Sequence, residues 1–220
     1  MTCAVASTGT FPAVITIVVR VWMPDRPGAL GQVASRIGAV RGSVLAIEIL
    51  EQGGGRAIDE LTVSLPDHEL MRLLIAEIDA VDGVSVESIR EVEAERTDPS
   101  LSALAIGAAI AECEPSERLD VMLAGVQAFS ETEWVAVLGG EEFVAQIGSP
   151  PDLQWLGAFV AGTEHLDSLD DSAPSDLLWA HMPKSRLTIA AGRSGNPIHE
   201  RERVRFSLLA RLADALIARP

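Results

Sequence analysis

The chain has only two cysteines in 220 residues, Cys3 and Cys113. That excludes a disulfide framework and a cysteine-based zinc cluster, so a reducing cytoplasm is the expected setting. Basic residues are also scarce: 17 Lys and Arg stand against 32 Asp and Glu, a formal net charge of −15. Nucleic acid binding requires a basic footprint, and a chain this acidic is a poor candidate for it. No run of about 18 apolar residues occurs, so no membrane span is expected. The first 13 residues lack a basic segment followed by an apolar one, so no signal peptide is expected.

Metal and nucleophile patterns are missing too. None of the four histidines, His68, His165, His181 and His199, is paired at the i, i+4 spacing of a helical metal site. Asp167, Asp170 and Asp171 lack the alternation and glycine of a calcium loop and read as solvated acids. Cys113 lies between Glu112 and Glu114, a setting that does not favour a reactive thiolate. Gly192-Arg-Ser194 is not a nucleophile elbow, and Trp155 and Trp179 read as core or pocket walls. No catalytic set, metal site or cofactor motif emerges, and the chain is expected not to be an enzyme.

What is abundant is apolar. Hydrophobic residues make up 48% of the chain, enough for a substantial core. Charge is unevenly spread: residues 114–183 hold one base against 13 acids, whereas residues 184–220 hold eight bases against three acids. The basic tail reads as an internal complement to the acidic middle.

The N-terminal half alternates elements in a clear order. Val14–Trp22 is a β-branched apolar run and predicts a buried strand. Pro27–Val40 carries Leu30, Val33, Ala34, Ile37 and Val40 at helical spacing. Arg41-Gly42 ends that helix. Ser43–Glu51 and Arg56–Leu65 predict two strands around Gln52-Gly-Gly-Gly55, with Asp59 and Glu60 as unusual members of the second. Pro66–Ala80 predicts a second helix and Val84–Val92 a last strand. Strand, helix, strand, strand, helix, strand is the ferredoxin-like βαββαβ arrangement: an antiparallel four-stranded sheet with both helices on one face. The fold class is α+β.

Glu91–Pro99 is charged and ends in proline, which places a linker at residues 94–100 between a domain at 13–93 and another at 101–220. The second half predicts helices over Leu101–Ala111 and Pro115–Ser130, then a hairpin of Trp134–Leu138 and Phe143–Ile147. A helix from Pro150 to about Ala161 leads into an acidic loop over Thr163–Ser175. Strands at Leu177–His181 and Arg186–Ala191 and a long helix over Pro197–Ala218 complete it.

The stretch richest in chemistry is Asp25-Arg-Pro-Gly-Ala-Leu30, between the first strand and the first helix. Proline is tolerated in a first helical turn, glycine lets a ligand or neighbouring chain come close, and the free N–H groups of the helix start seat a carboxylate. Asp25 either caps those N–H groups, with Arg26 solvated, or both belong to a binding lip.

With Gly42-Ser-Val-Leu-Ala-Ile47 opening the second strand, and with the element order, this loop makes residues 13–93 resemble the ACT domain family of amino-acid-binding regulatory modules. The resemblance implies a pocket between two copies, lined by Asp25, Arg26, Pro27, Gly28, Ala29 and Leu30 of one and by Ser43 and Val44 of the other. It implies a homodimer and an amino acid or similar small polar metabolite as ligand. The family often places Asn where Val44 stands, and valine cannot hydrogen-bond an α-amino group.

The C-terminal half, about residues 115–218, resembles a GAF-type sensor domain. The features are Ser185-Arg-Leu-Thr-Ile-Ala-Ala-Gly-Arg193, Phe206 and a helix start at Glu200-Arg-Glu-Arg203. That resemblance implies a GAF-like α/β domain with a second small-molecule pocket or dimer contact. Two other readings stay open: an assembly module without a ligand, and an enzyme holding substrate near Arg193 and Trp179.

Overall fold

The structure is a computed structural model, and it describes residues 14–95, 97–140, 142–163 and 174–218. The chain divides into two compact units, Met1–Arg96 and Thr97–Pro220.

The first unit contains β1 (Ile15–Pro24), α1 (Ala29–Ala39), β2 (Ser43–Gly53), β3 (Arg56–Leu65), α2 (Leu70–Asp79) and β4 (Ser85–Val92). The strands form one antiparallel sheet in the order β2-β3-β1-β4. Side chains alternate between the two faces of a strand. Ile17, Val19, Val21 and Met23 of β1 therefore share a face with Leu61, Val63 and Leu65 of β3. They pack with Val33 and Ile37 of α1 and Leu74 and Ile78 of α2 into one core. Both helices thus cover one face of the sheet, as the sequence predicts.

The strand β2 lies at the sheet edge and departs from simple alternation. Its pairing with β3 shifts between Val44 and Ala46 and again between Ile49 and Glu51. Each shift adds one residue on β2 against one step on β3, as in a β-bulge. The mixed apolar pattern of this strand follows: Leu45, Ile47 and Ile49 are 56%, 45% and 47% exposed, while Leu50 is buried.

The second unit begins with α3 (Pro99–Glu112), whose first turn is capped by Asp98, accepting from the N–H groups of Ser100 and Leu101. This helix starts inside the stretch read as a linker. A single 3-10 turn (Pro115–Glu117) leads into α4 (Arg118–Ser130), then β5 (Trp134–Gly139), β6 (Glu142–Ile147), α5 (Leu153–Gly162), β7 (Leu177–Met182), β8 (Leu187–Gly192) and α6 (Glu200–Ile217). The antiparallel sheet has the order β6-β5-β8-β7. On one face, Val135, Val137, Leu178 and Ile189 pack with residues of α3, α4 and α6. On the other, Trp134, Trp179 and Ala190 pack with Leu156 of α5. At Gly107 of α3 a Cβ would come within 2.3 Å of the Leu212 side chain of α6, so any larger residue here makes that side chain shift. The acidic loop with His165, Asp167, Asp170 and Asp171 lies outside the described residues.

Candidate functional site

The chain leaves β1 at Pro24 and turns through Asp25, Arg26, Pro27 and Gly28 into α1. Two contacts clasp this loop to the β2–β3 turn. The N–H of Asp25 donates to the Gly55 carbonyl at 2.9 Å, and Gln52 Nε2 donates to Asp25 Oδ2 at 3.0 Å. Gly28 takes φ 87°, a left-handed conformation in which glycine carries no Cβ penalty. A Cβ at this position would meet nothing within 4 Å. The residues from Asp25 to Gly28 are exposed, Ala29 is buried in the core and Leu30 is half-buried against it.

No side chain caps α1. Asp25 is held by Gln52 instead, which overturns the capping reading of this residue. The N–H of Ala29 returns to the Arg26 carbonyl and that of Gln32 to the Gly28 carbonyl. The N–H groups of Leu30 and Gly31 stay open at the helix start, where the dipole favours an anion. Arg26 reaches Gln32 through Nη2 at 3.5 Å.

Ser43 and Val44 do not join this loop within one chain. β2 runs parallel to β1 across β3, so Ser43 lies level with Ser64 and Thr16, at the far end of the sheet. From Thr16 to Pro24 is about 26 Å at roughly 3.3 Å per residue. Ser43 is exposed, and Val44 packs against the core. A pocket containing both the loop and the start of β2 requires two copies of the domain.

Sequence reasoning noted one residue here as an unusual strand member without giving it a role in the site. Asp59 of β3 stands opposite Val21 on one side and Ile49 on the other, so it projects from the helix-covered face. It is 3% exposed, and its Oδ1 is buried without a hydrogen-bond partner. Burial, and secondarily the negative charge of Asp25, push its carboxyl above the usual carboxylate range. Its neighbour Glu60 points to the opposite face and is answered there by Arg20 at 2.8 Å and by Arg90 at 3.9 Å. The signal was visible as two consecutive acids in a strand, since parity must send them to different faces.

In the second unit, the residues that carried the GAF-type resemblance serve as structural ties. Arg193 is 6% exposed. Its Nε donates to Asn196 O, Nη1 to Ser130 O, and Nη2 to Pro197 O and both carboxylate oxygens of Glu202. This guanidinium is fully engaged by the protein, which removes the substrate role considered for it. Ser185 and the N–H of Lys184 bind Asp214 of α6. Asp214 is almost fully buried, which raises its carboxyl. The hydrogen bonds from Ser185 and Lys184 and the Lys184 charge outweigh that and leave it below the usual range. Trp179 is buried with Phe159 edge-on at 5.1 Å, whereas Trp155 is 47% exposed and stacks on Phe159. A cavity of about 540 Å³ opens between α5 and the β7–β8 hairpin, with His181, Arg186 and Thr188 among its walls. His181 Nδ1 lies 3.1 Å from Thr188 Oγ1, and its Nε2 is buried without a partner. Among the described residues no group of three or more metal-ligating side chains converges, and no helix is long and apolar enough to cross a membrane.

The first unit therefore has the architecture of a βαββαβ domain with an open helix start at its β1–α1 loop. The family model of the ACT domain matches residues 17–83, so the first unit carries an ACT domain. Among solved structures, the chain is similar to the ACT domain from GTP pyrophosphokinase of Chlorobium tepidum, at 15% identity over 36% of this chain and 100% of that one, with a TM-score of 0.30. It is similar to an unknown protein from Galdieria sulphuraria at 13% identity, over 82% of this chain and 81% of that one, with a TM-score of 0.33. A formyltetrahydrofolate deformylase from Pseudomonas putida KT2440 is 15% identical over 43% of this chain and 38% of that one, with a TM-score of 0.28. No curated protein matches the chain.

Proposed function

We propose that this is a non-catalytic cytoplasmic regulatory protein whose ACT domain binds an amino acid or a similar small polar metabolite between two copies of the chain. The observation that carries this reading is the uncapped start of α1. Leu30 and Gly31 offer N–H groups beside an open glycine, at the loop through which the domain resembles amino-acid-binding modules. A ligand carboxylate completes those hydrogen bonds. The separation of Ser43 and Val44 from the loop, and the exposed Leu45, Ile47 and Ile49 on an edge strand, support a second copy as part of the pocket. A ligand that binds one arrangement of the pair more tightly shifts the population toward it, which is the regulatory act. The second unit, read as GAF-like, adds a sensor pocket at the His181 cavity.

A second reading, assembly without a ligand, draws on Val44, which packs into the core and offers no hydrogen bond. Thermal melting with each proteinogenic L-amino acid, together with sedimentation, separates the two. Ligand at 100 times its dissociation constant stabilises the fold by roughly 2.7 kcal/mol. The informative variant is Gly28→Asn. Asparagine adopts the left-handed conformation more readily than other side chains, and the space for its Cβ is open. It therefore blocks the close approach with less backbone strain than other side chains bring. A melting shift in the native protein that Gly28→Asn abolishes supports the ligand reading. A dimer unmoved by every amino acid supports assembly alone.

A further inference from the structure

The carboxylate of Asp59 is an anomaly in the first unit. Its neighbours across the sheet are apolar, the buried Val21 on β1 and the largely exposed Ile49 on the edge strand β2, and the buried Leu61 follows it on the same face of β3. A buried polar atom without a partner is costly, and native structures contain few. Four arginines of this unit are engaged by other groups. Arg20 and Arg90 meet Glu60 on the other face, Arg36 meets Glu77 at 3.0 Å, and Arg56 lies over the Trp22 ring. Asp59 also stands near the end of the sheet that carries the β1–α1 loop, three positions on β1 from Pro24, and it feels the charge of Asp25. On that face of β3 the next residue toward the loop is Ala57, whose side chain is a single methyl group.

We propose that Asp59 is the acceptor for the ammonium group of the ligand held at the Asp25–Leu30 loop. The site therefore selects amines, such as an amino acid by its α-ammonium, over the matching hydroxy acid. This rests on the ligand reading given above. The open N–H groups of Leu30 and Gly31 take the anionic end, and Asp59 takes the cationic end, with Asp25 adding a second negative charge beside it. The two ends of a zwitterion are thereby matched by opposite potentials. Asp59 supplies the function that Val44 lacks, from a different strand.

The test is Asp59→Asn in the full chain, compared with the native protein and Gly28→Asn. Two readouts are needed: melting in plain buffer at neutral pH, and titration with each proteinogenic L-amino acid and its 2-hydroxy acid counterpart. The expected result has two parts. Without any added compound, Asp59→Asn melts higher than the native protein, because a buried charge without a partner has been removed. The amino acid that binds the native protein binds Asp59→Asn at least about tenfold more weakly, the effect of losing one charged hydrogen bond. The hydroxy acid binds both proteins alike and more weakly than the amino acid.

An Asp59→Asn variant that melts lower overturns the proposal, because Asp59 would then be a structural bond. An Asp59→Asn variant that keeps amino-acid binding, while Gly28→Asn loses it, overturns the ammonium seat and leaves the loop site standing. If no amino acid moves the native protein, the ligand reading falls, and the proposal falls with it.

Discussion

Replacing Asp214 by alanine should unpin the β7–β8 hairpin from α6. One carboxylate accepts from Ser185 Oγ at 2.7 Å, from the Ser185 N–H at 2.8 Å and from the Lys184 N–H at 3.1 Å, while Asp214 itself is only 3% exposed. A hydrogen bond to a charged group contributes about 1.5–3 kcal/mol. Lys184 and Ser185 can recover water when the carboxylate is gone, so the expected loss is about 3 kcal/mol rather than the full sum. That corresponds to a fall of roughly 10 °C in melting temperature for a domain of this size. Urea unfolding followed by tryptophan fluorescence is a suitable assay, because Trp134, Trp155 and Trp179 lie in this unit and only Trp22 lies in the other.

The pH dependence has a definite sign. The folded carboxyl titrates below the usual range, so its contribution is present above the unfolded value near 3.8 and is lost as pH falls below it. The native protein and Asp214→Ala should therefore converge in stability in strong acid. Ser185→Ala, which removes one of the three donors, should cost less than half as much. A loss below about 1 kcal/mol for Asp214→Ala, or an equal loss for Ser185→Ala, would refute the account of this tie.

Asp59 has the opposite sign: its folded carboxyl titrates high, so the native protein loses stability as pH rises from about 3.8 through the raised value. The stability advantage of Asp59→Asn should open over that window in urea titrations at stepped pH. Arg193→Met should cost about 3–5 kcal/mol in urea unfolding, because Glu202 and three carbonyls lose their donor, and it should leave amino-acid binding to the first unit unchanged. Gly28→Ala should cost about 1–2 kcal/mol through its left-handed backbone alone, whereas Gly31→Ala, inside α1 with open space for a Cβ, should gain about 0.5–1 kcal/mol; denaturant midpoints of the pair test both.

Much of the first unit was legible from periodicity. The β-branched run of β1, the helical spacing of Leu30, Val33 and Ile37, and the glycine turn before Arg56 each point to one element, and the order of elements determines the sheet. β2 was less legible, because two bulges shift its register and its place at the sheet edge leaves Leu45, Ile47 and Ile49 exposed, although Ile47 and Ile49 stand opposite Leu61 and Asp59 of the helix-covered face. The loop from Asp25 to Leu30 stood out because proline and glycine mark it. Asp59 stood out only as an acid inside a strand, since its burial near a loop far away in sequence follows from the register of β3 with β1. Arg193 misled for a related reason: a lone arginine after a strand looks available, and only the fold shows four protein groups around it. The resemblance assigned Val44 and the loop to different copies, and within one chain a parallel path across β3 keeps them apart.

The alignment of β1 with β3 has a consequence for which molecules can respond at all. A slip of one residue turns every side chain of a strand to the other face. In such a chain Leu61, Val63 and Leu65 would leave the helices, and either Ile58 or Glu60 would lie opposite Val21 in place of Asp59. Arg20 would lose the partner now opposite it. A compound that needs the shorter acid at that spot stabilises only correctly zipped sheets, by mass action. The ligand would thus act during folding as well as after it, enriching the population of chains able to bind it.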